Sequence, residues 1–320
     1  MVELFGSIHI DWLGKRKLFF AITTALVLIG GISLVSKGKF KYGVDFQGGT
    51  LMNIRFQQKP DVEKIRATLR AAGLQDAVIQ PVISNTKPND VLIEFHILEG
   101  QDVSKGRELV TDALKSAFGT SFEILRSTSV GAKVGSDLRR QAVAATLYAL
   151  GGILIYIAFR FEWIYGAAAV FAVFHDTLVT LGMFSLFDRE INLTVIAALL
   201  TLVGYSVNDT IVVFDRVREN LKIRRRDELE TIMNDSINQT LSRTILTSGL
   251  TFLTVLALFI FGGEIISHFA FAMVIGIIIG TYSSIAIASP LVLIYSRLRG
   301  TSAPKVVSTA KVQKPAKATK

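Results

Sequence analysis

Cysteine is absent from the 320 residues of this chain, and its histidines lie far apart, at His9, His96, His175 and His268. Without a thiol there is no disulfide framework, thiolate metal site or cysteine nucleophile. The patterns H-E-x-x-H, G-x-S-x-G and G-x-x-x-x-G-K-[ST] are also missing, which removes the usual signatures of metallopeptidases, serine hydrolases and ATP-hydrolysing enzymes. We expect a protein that is not an enzyme and that needs neither a metal nor a cofactor.

The composition is typical of a membrane protein. Half of the residues are hydrophobic, the mean hydropathy is +0.46, and charged residues still make up 19%. Charges cannot be spread evenly through so apolar a chain, so we expect them in polar loops between apolar spans. Lys and Arg together outnumber Asp and Glu by 35 to 26. In such a chain the basic excess orients loops toward the cytoplasm, and we expect no nucleic-acid partner.

Long apolar runs predict the membrane spans, because about 20 apolar residues in a helix cross the hydrocarbon core of roughly 30 Å. Six stretches meet this requirement: residues 18–34, 141–159, 164–187, 193–214, 245–261 and 269–295. The first follows three basic residues, as a signal peptide does, but it is long for a signal sequence and no A-x-A-like cleavage site follows it. It is predicted to remain as a membrane anchor.

Basic residues collect on one side of these spans. They precede the first span, separate the fourth from the fifth and follow the sixth, whereas the opposite short loops hold only Arg189 and His268. The positive-inside rule therefore places both termini in the cytoplasm and the long loop in the periplasm of an inner-membrane protein. The predicted order is a cytoplasmic N-terminus (1–17), a first span (18–35), a periplasmic domain (36–140), five more spans (141–295) with a basic cytoplasmic loop (216–243), and a cytoplasmic tail (296–320).

The predicted periplasmic domain has its own alternation of strands and helices. Apolar-alternating runs at 51–56, 78–83, 91–97 and 122–125 predict strands. Two helices are predicted between them, one capped by Asp61 and covering 62–72, the other over 102–118. The order β-α-β-β-α-β is typical of a ferredoxin-like layer of two helices on an antiparallel sheet. We therefore predict an α-helical polytopic membrane protein with a small α+β domain outside the membrane.

Two polar segments accompany the last spans. Residues 216–244 carry apolar side chains at helical spacing, which predicts a surface helix or helix pair beneath the spans. The tail after Gly300 contains scattered lysines without periodicity and is predicted to be disordered. Such a tail either stays solvated and contacts anionic membrane lipid or serves as a docking peptide, and both alternatives stay open.

An ionisable residue inside a span costs about 2.5 to 3.5 kcal/mol on insertion scales, so its presence needs a reason. Asn208 and Asp209 lie in the fourth span, about two turns from its cytoplasmic end. Thr201, Tyr205 and Asn208 share one helix face beside Asp209, so this polar side is predicted to meet another helix. Asp209 is the leading candidate for a functional carboxylate, and the alternative is a buried carboxylate that serves packing alone.

Three other polar residues lie in or next to spans. Arg243 directly precedes the apolar run of the fifth span, on the same membrane side as Asp209, so an ion pair between them is compatible with their positions. Arginine itself would stay protonated but would hold the carboxylate ionised, unless it snorkels to the interface instead. In the third span His175 and Asp176 are candidates for a proton relay. Adjacent helical residues point about 100° apart, so one of the two is expected to serve packing.

Several motifs together resemble one family. They are YGVDFQGGT over residues 42–50, VGAKVG over 130–135, FRFEW over 159–163, HD at 175–176, VGYSVNDTIVVFDR over 203–216, LSRT over 241–244 and FGG over 261–263. In combination they resemble the SecF branch of the SecD/SecF family of protein-export membrane proteins. Taken alone, the first run, which contains Gly43, Asp45, Phe46, Gly48 and Gly49, is as well explained by a strand with glycine bends.

The resemblance implies one half of a pseudo-symmetric unit of the resistance-nodulation-division (RND) superfamily, paired with a SecD-like subunit and assisting the SecYEG channel. It implies an auxiliary subunit of the Sec translocase that uses the proton motive force to promote preprotein translocation across the inner membrane. By motif position the proton-coupling residues are Asp209 and Arg243, with Asn208 and Asp176 as further candidates. A half-size RND-type efflux transporter and a passive membrane scaffold stay compatible with the same fold.

Overall fold

The computed structural model describes residues 9–75, 77–82, 89–95, 103–160 and 162–299. Their helices are α1 (Arg16–Lys37), α2 (Val44–Gln47), α3 (Val62–Ala71), α4 (Val103–Phe118), α5 (Ala132–Arg160), α6 (Trp163–Leu186), α7 (Leu193–Ile223), α8 (Leu229–Phe261), α9 (Glu264–Ser283) and α10 (Ser289–Leu298). A π-helical turn (Ser284–Ala288) joins α9 to α10, and the strands are β1 (Gly49–Phe56), β2 (Val78–Pro81), β3 (Asp90–Phe95) and β4 (Phe122–Val130). Some predicted features lie outside the described residues: two strand ends (83 and 96–97), the first residue of the second helix (102), residue 161 of the FRFEW motif, and the basic tail from residue 300 onward.

The described residues contain six helices that are long and apolar enough to cross a membrane, as predicted. They are α1, α5, α6, α7, α8 and the continuous unit from α9 to α10. At least half of the residues in the apolar stretches of α6, α7 and the last unit are buried, whereas α1, α5 and α8 expose much of their apolar surface. The bundle core is thus built by α6, α7 and the last unit.

Two of the spans extend well beyond the apolar core. The 31 residues of α7 and the 33 residues of α8 give lengths of about 46 and 50 Å, against roughly 30 Å of hydrocarbon. The helix pair predicted at residues 216–244 is therefore the continuation of these two spans, not a separate surface element. Asn234 of this extension holds the N-terminal segment, since its Oδ1 accepts a hydrogen bond from the backbone N–H of Trp12 at 2.8 Å.

The domain between α1 and α5 has the predicted element order. Its four antiparallel strands lie in the order β2-β3-β1-β4. Alternate residues of β1 and β3, such as Met52 and Ile93, pack with α3 and α4 in one apolar core. Asp61 caps α3 as predicted, accepting from two backbone N–H groups of the first turn. This is the ferredoxin-like arrangement expected from the sequence, and the predicted fold class is confirmed.

The glycine-containing motif at residues 43–49 joins this domain to the bundle. Val44–Gln47 form one turn of helix and β1 begins only at Gly49, so the alternative of a strand with glycine bends is wrong. Phe46 is buried among bundle side chains. The Oδ2 atom of Asp45 accepts from the backbone N–H of the first residue of α7 at 3.0 Å. The motif therefore connects the two parts of the molecule through side chains as well as backbone.

Glycines at both ends of α2 permit close backbone contact. The backbone N–H of Gly43 donates to the carbonyl of Ile191, between α6 and α7, at 3.0 Å. Gly48 has a φ of +82°, and a Cβ there would lie 2.6 Å from the Cα of Ala132 on α5. Because only glycine combines this backbone angle with the absence of a Cβ, Gly48 determines how β1 leaves the bundle.

Candidate functional site

Asp209 lies inside the helix bundle. It is only 2% exposed, and its Oδ2 atom accepts a hydrogen bond from Ser248 Oγ of α8 at 2.8 Å. A hydroxyl donor holds the carboxyl group in position but does not neutralise its charge. Protonation of a buried carboxyl group changes its hydrogen bonding and its desolvation cost together, so the protonation state is coupled to the surrounding packing.

Arg243 lies on α8, and its side chain is exposed at the surface of this chain. Its charge acts on Asp209. Among the described residues, however, no ion pair within 4 Å joins the two. The predicted contact is therefore not made in this structure.

Asp176 is the centre of a second buried polar cluster. It is fully buried, and its Oδ2 atom accepts from Ser206 Oγ of α7 at 2.6 Å and from Ser283 Oγ of α9 at 2.8 Å. His175 is also buried, and its Nδ1 lies 3.0 Å from the other carboxyl oxygen. The neighbouring His175 and Asp176 side chains thus contact each other, and Asp176 joins α6 to two further helices.

A short line of hydroxyl groups leads from this cluster toward Asp209. Thr210, the residue after Asp209, places its Oγ1 2.9 Å from Ser284 Oγ. Ser284 follows Ser283, the partner of Asp176, and begins the π-helical turn. Single π-helical turns are rare and occur often at functional sites. The residues that follow Asp209 and Ser283 in the sequence are therefore hydrogen-bonded to each other.

Asn208 points differently from its neighbour Asp209. Asn208 and Thr201 are exposed on α7, and Arg243 and Thr247 are exposed on α8. Threonine hydroxyls can bond to their own helix, as Thr247 does to the carbonyl of Arg243 at 3.0 Å. A guanidinium and an amide facing lipid are much more costly. This polar surface is therefore expected to be covered by another protein.

The serine partners of both carboxyl groups were not among the predicted site residues. Ser206, Ser248 and Ser283 each interrupt an apolar span. That signal was present in the sequence, but serine is common in membrane helices because small residues pack there and bond to the backbone. Only the positions of the three helices show that these hydroxyls meet carboxyl groups.

Asp176→Leu is expected to lower the free energy of unfolding by about 1–3 kcal/mol, because it removes the acceptor shared by hydroxyls of α7 and α9. Asp176→Asn should retain most of the stability, since its amide oxygen can still accept from Ser206 and Ser283. The measurement is the thermal unfolding midpoint of the purified chain in detergent. Equal midpoints for Asp176→Leu and the unaltered chain would show that this cluster contributes no stability.

A six-span bundle with carboxyl groups buried between its helices, together with one small ferredoxin-like domain, defines a polytopic membrane protein of the transport class. The family profile described as "Protein export membrane protein SecD/SecF, C-terminal" matches residues 109–298, and the profile "SecD/SecF GG Motif" matches residues 32–60. The chain belongs to the SecD/SecF family.

Relatives in this family match along nearly their whole length. Protein translocase subunit SecF of Koribacter versatilis is 41% identical, with 93% of this chain and 95% of the relative covered. The subunit of the same name from Calditerrivibrio nitroreducens is 45% identical over 91% of this chain and 95% of its own length. That of Pseudomonas aeruginosa is 41% identical, with 90% and 92% covered.

Solved structures of SecDF share the fold. The crystal structure of SecDF from Thermus thermophilus, a translocon-associated membrane protein, has a TM-score of 0.78 and 39% identity, covering 91% of this chain. SecDF in its super-membrane-facing form has a TM-score of 0.69 and 40% identity. This chain spans 39% of the first and 40% of the second of those longer chains.

Proposed function

We propose that this chain is an auxiliary subunit of the Sec protein-export machinery that uses the proton motive force to promote preprotein translocation. The relatives that it matches over most of their length are protein translocase subunits. The structural observation that supports the proton role is Asp209, a carboxyl group buried between spans, bonded to the hydroxyl of Ser248 and close to an arginine that does not contact it.

A SecD-like subunit is the proposed partner. The chain corresponds to about two fifths of the solved SecDF chains, so a second set of elements accompanies the same fold there. In this chain Asn208 and Arg243 are exposed within the membrane-spanning helices, and lipid cannot satisfy their hydrogen bonds. A partner helix bundle against α7 and α8 would cover both residues and complete the site.

The proposed cycle depends on the charge of Asp209. When ionised, Asp209 attracts Arg243 and favours the packing in which α7 and α8 bring the two together. When protonated, it loses that attraction and keeps its hydroxyl contact with Ser248. If protons reach Asp209 from one side of the membrane and leave it to the other side, each transported proton drives one cycle of helix movement. The available energy is about 2.3 kcal/mol per charge for each 100 mV of membrane potential.

The proposed placement is the inner membrane with both termini in the cytoplasm. The distribution of basic residues supports this orientation. The ferredoxin-like domain then lies in the periplasm, where a preprotein emerges from a SecYEG channel. Movement of α7 reaches this domain through Asp45, whose carboxyl group accepts from the N-terminus of that helix. Proton-driven changes between the spans would thus alter how the domain meets the preprotein.

Depletion of this chain from its host is expected to cause uncleaved secretory precursors to accumulate several-fold, because the export step would lose its auxiliary subunit. Re-expression of the unaltered chain should clear them. The measurement is pulse-labelling of a signal-peptide-bearing protein, with the ratio of precursor to mature form read on a gel. A membrane protein that inserts without this pathway serves as the control. Unchanged processing on depletion would show that export is the wrong function.

A further inference from the structure

A cavity lies where the ferredoxin-like domain rests on the helix bundle. Its volume is about 210 Å³. The sheet has one face covered by α3 and α4, and its other face, with Asn53, Glu94 and Arg126, lines this cavity. The bundle side is formed by α2 and by the loop and helix ends around Glu190 and His268. The cavity therefore lies between the ferredoxin-like domain and the helix bundle.

Two carboxyl groups meet across this junction. Glu94 of β3 is 8% exposed and Glu190, in the loop between α6 and α7, is 7% exposed; both line this cavity, and the charge of Glu190 acts on Glu94. The backbone N–H of Val44 donates to Glu94 Oε1 at 3.2 Å. Lys41 Nζ lies 3.0 Å from Glu190 Oε1 and is 43% exposed. Among the described residues, Lys41 is thus the cation that pairs with this site, and it remains partly in solvent.

Two adjacent carboxyl groups in a buried site retain a proton, because like charges at this distance repel and burial penalises both. Burial, together with the negative charge of Glu190, raises the pKa of Glu94 from 4.5 to about 8. The Val44 N–H and the Lys41 charge offset only part of this increase. The other charged or titratable groups that face the cavity or border it are Asp45 on α2, Arg126 on β4, Arg189 before α7 and His268 on α9.

We propose that Glu94 and Glu190 form a proton-binding site that holds the ferredoxin-like domain against the membrane bundle. With a proton bound, the O–H of one carboxyl group donates to the other across the junction. When the proton leaves, two carboxylates face each other in the cavity, and their repulsion favours separation of the domain from the bundle. This site is distinct from Asp209 and Asp176, and it does not depend on the proposed export function.

The direction of the pH dependence follows from proton counting. In the separated state Glu94 returns to its ordinary pKa, so at Glu94 the docked state holds more protons between the ordinary pKa of 4.5 and the raised pKa of about 8. Burial lowers the pKa of His268, and this smaller effect acts in the opposite direction. The contact between the ferredoxin-like domain and the bundle is therefore strongest at a pH below the ordinary pKa of Glu94. It weakens as the pH rises through this window and no longer changes above it. The site thus responds within the range of pH that a cell envelope experiences.

Electron spin resonance distances between two spin labels test this proposal directly. Because the chain has no cysteine, Ala67→Cys on α3 and Leu186→Cys at the end of α6 introduce labels at two exposed positions, one on each side of the junction. The full chain is placed in lipid nanodiscs and measured at about pH 4.5 and about pH 9, at the lower edge of the expected window and above its upper edge. We expect one short, narrow distance at the lower pH and loss of that population at the higher pH.

Glu94→Gln is expected to keep the short distance at both pH values, because its amide can still donate to Glu190 and accept from Val44. Glu190→Gln should behave in the same way and replaces the first variant if that one does not fold. Glu108→Gln, exposed on α4, is the matched control and should follow the unaltered chain. A distance that does not change with pH in the labelled parent, or one that changes equally in Glu94→Gln, overturns the proposal. The second outcome would assign the movement to another titrating group, such as Asp209.

Discussion

Asp209→Asn is expected to leave the chain inserted in the membrane while export that depends on the proton gradient is lost. Asparagine has nearly the same shape, and its side-chain oxygen can still accept the hydroxyl of Ser248, which lies 2.8 Å from the carboxyl oxygen. It cannot ionise, so it cannot alternate between attracting and releasing Arg243. The fold is retained, and the step that is driven by charge is removed.

The size of the effect follows from the energy that a proton supplies. One charge moving through 100 mV releases about 2.3 kcal/mol, which biases a two-state equilibrium by roughly 50-fold. A variant that cannot bind and release the proton loses this bias. We therefore expect the gradient-dependent part of precursor processing to fall to the level of depleted cells. The measurement is processing in cells that express the variant alone, with its membrane level checked by immunoblot.

Asp215→Asn is the matched control for this experiment. Asp215 lies further along the same helix and is exposed, so the same chemical change there should leave export unaffected. Normal gradient-dependent export with Asp209→Asn would contradict the proton role and favour a passive scaffold. Loss of resistance to toxic compounds, with precursor processing intact, would favour an efflux transporter.

Gly30→Leu is expected to prevent α1 from packing on α6. A Cβ at Gly30 would lie 2.7 Å from the Cα of Gly182, so the two helix backbones are in direct contact. Rotation of a side chain cannot relieve a clash with backbone atoms. The helices would have to separate, and the contact between Ser33 Oγ and Ser185 Oγ, now 3.0 Å, would be lost. We expect the free energy of unfolding to fall by about 3 kcal/mol.

The adjacent glycine provides the control for this second experiment. Gly31 is exposed, and a Cβ added there would meet no neighbouring atom within 4 Å, so Gly31→Leu adds apolar surface without a clash. Both variants are equally hydrophobic and should insert equally well. The measurement is the thermal midpoint of each purified chain in detergent, read by the loss of the monodisperse peak. Equal midpoints for the two variants would mean that the α1–α6 contact contributes little.

The spans and the domain order were predictable because they depend on local chemistry. A run of about 20 apolar residues has to form a helix in the membrane, whatever its neighbours are. Alternating residues such as those of β1 likewise reveal which side chains face a core. The extension of α7 and α8 was less visible, because their polar ends have the same helical spacing as a separate surface helix. Val44–Gln47 were also ambiguous, since glycines flank both turns and bent strands.

In the candidate sites, too, local features were predictable and long-range contacts were not. That Asp176 and Asp209 are unusual was clear from the cost of a carboxyl group within an apolar span. Which atoms these carboxyl groups contact was not clear from the sequence, because Ser206 and Ser283 are 30 and 107 residues away from Asp176. Likewise, nothing local marks Glu94 as the neighbour of Glu190, which belongs to another part of the fold. Burial and hydropathy act residue by residue and can be inferred from composition and spacing, whereas a hydrogen bond between distant residues exists only once the chain has brought their helices and strands together.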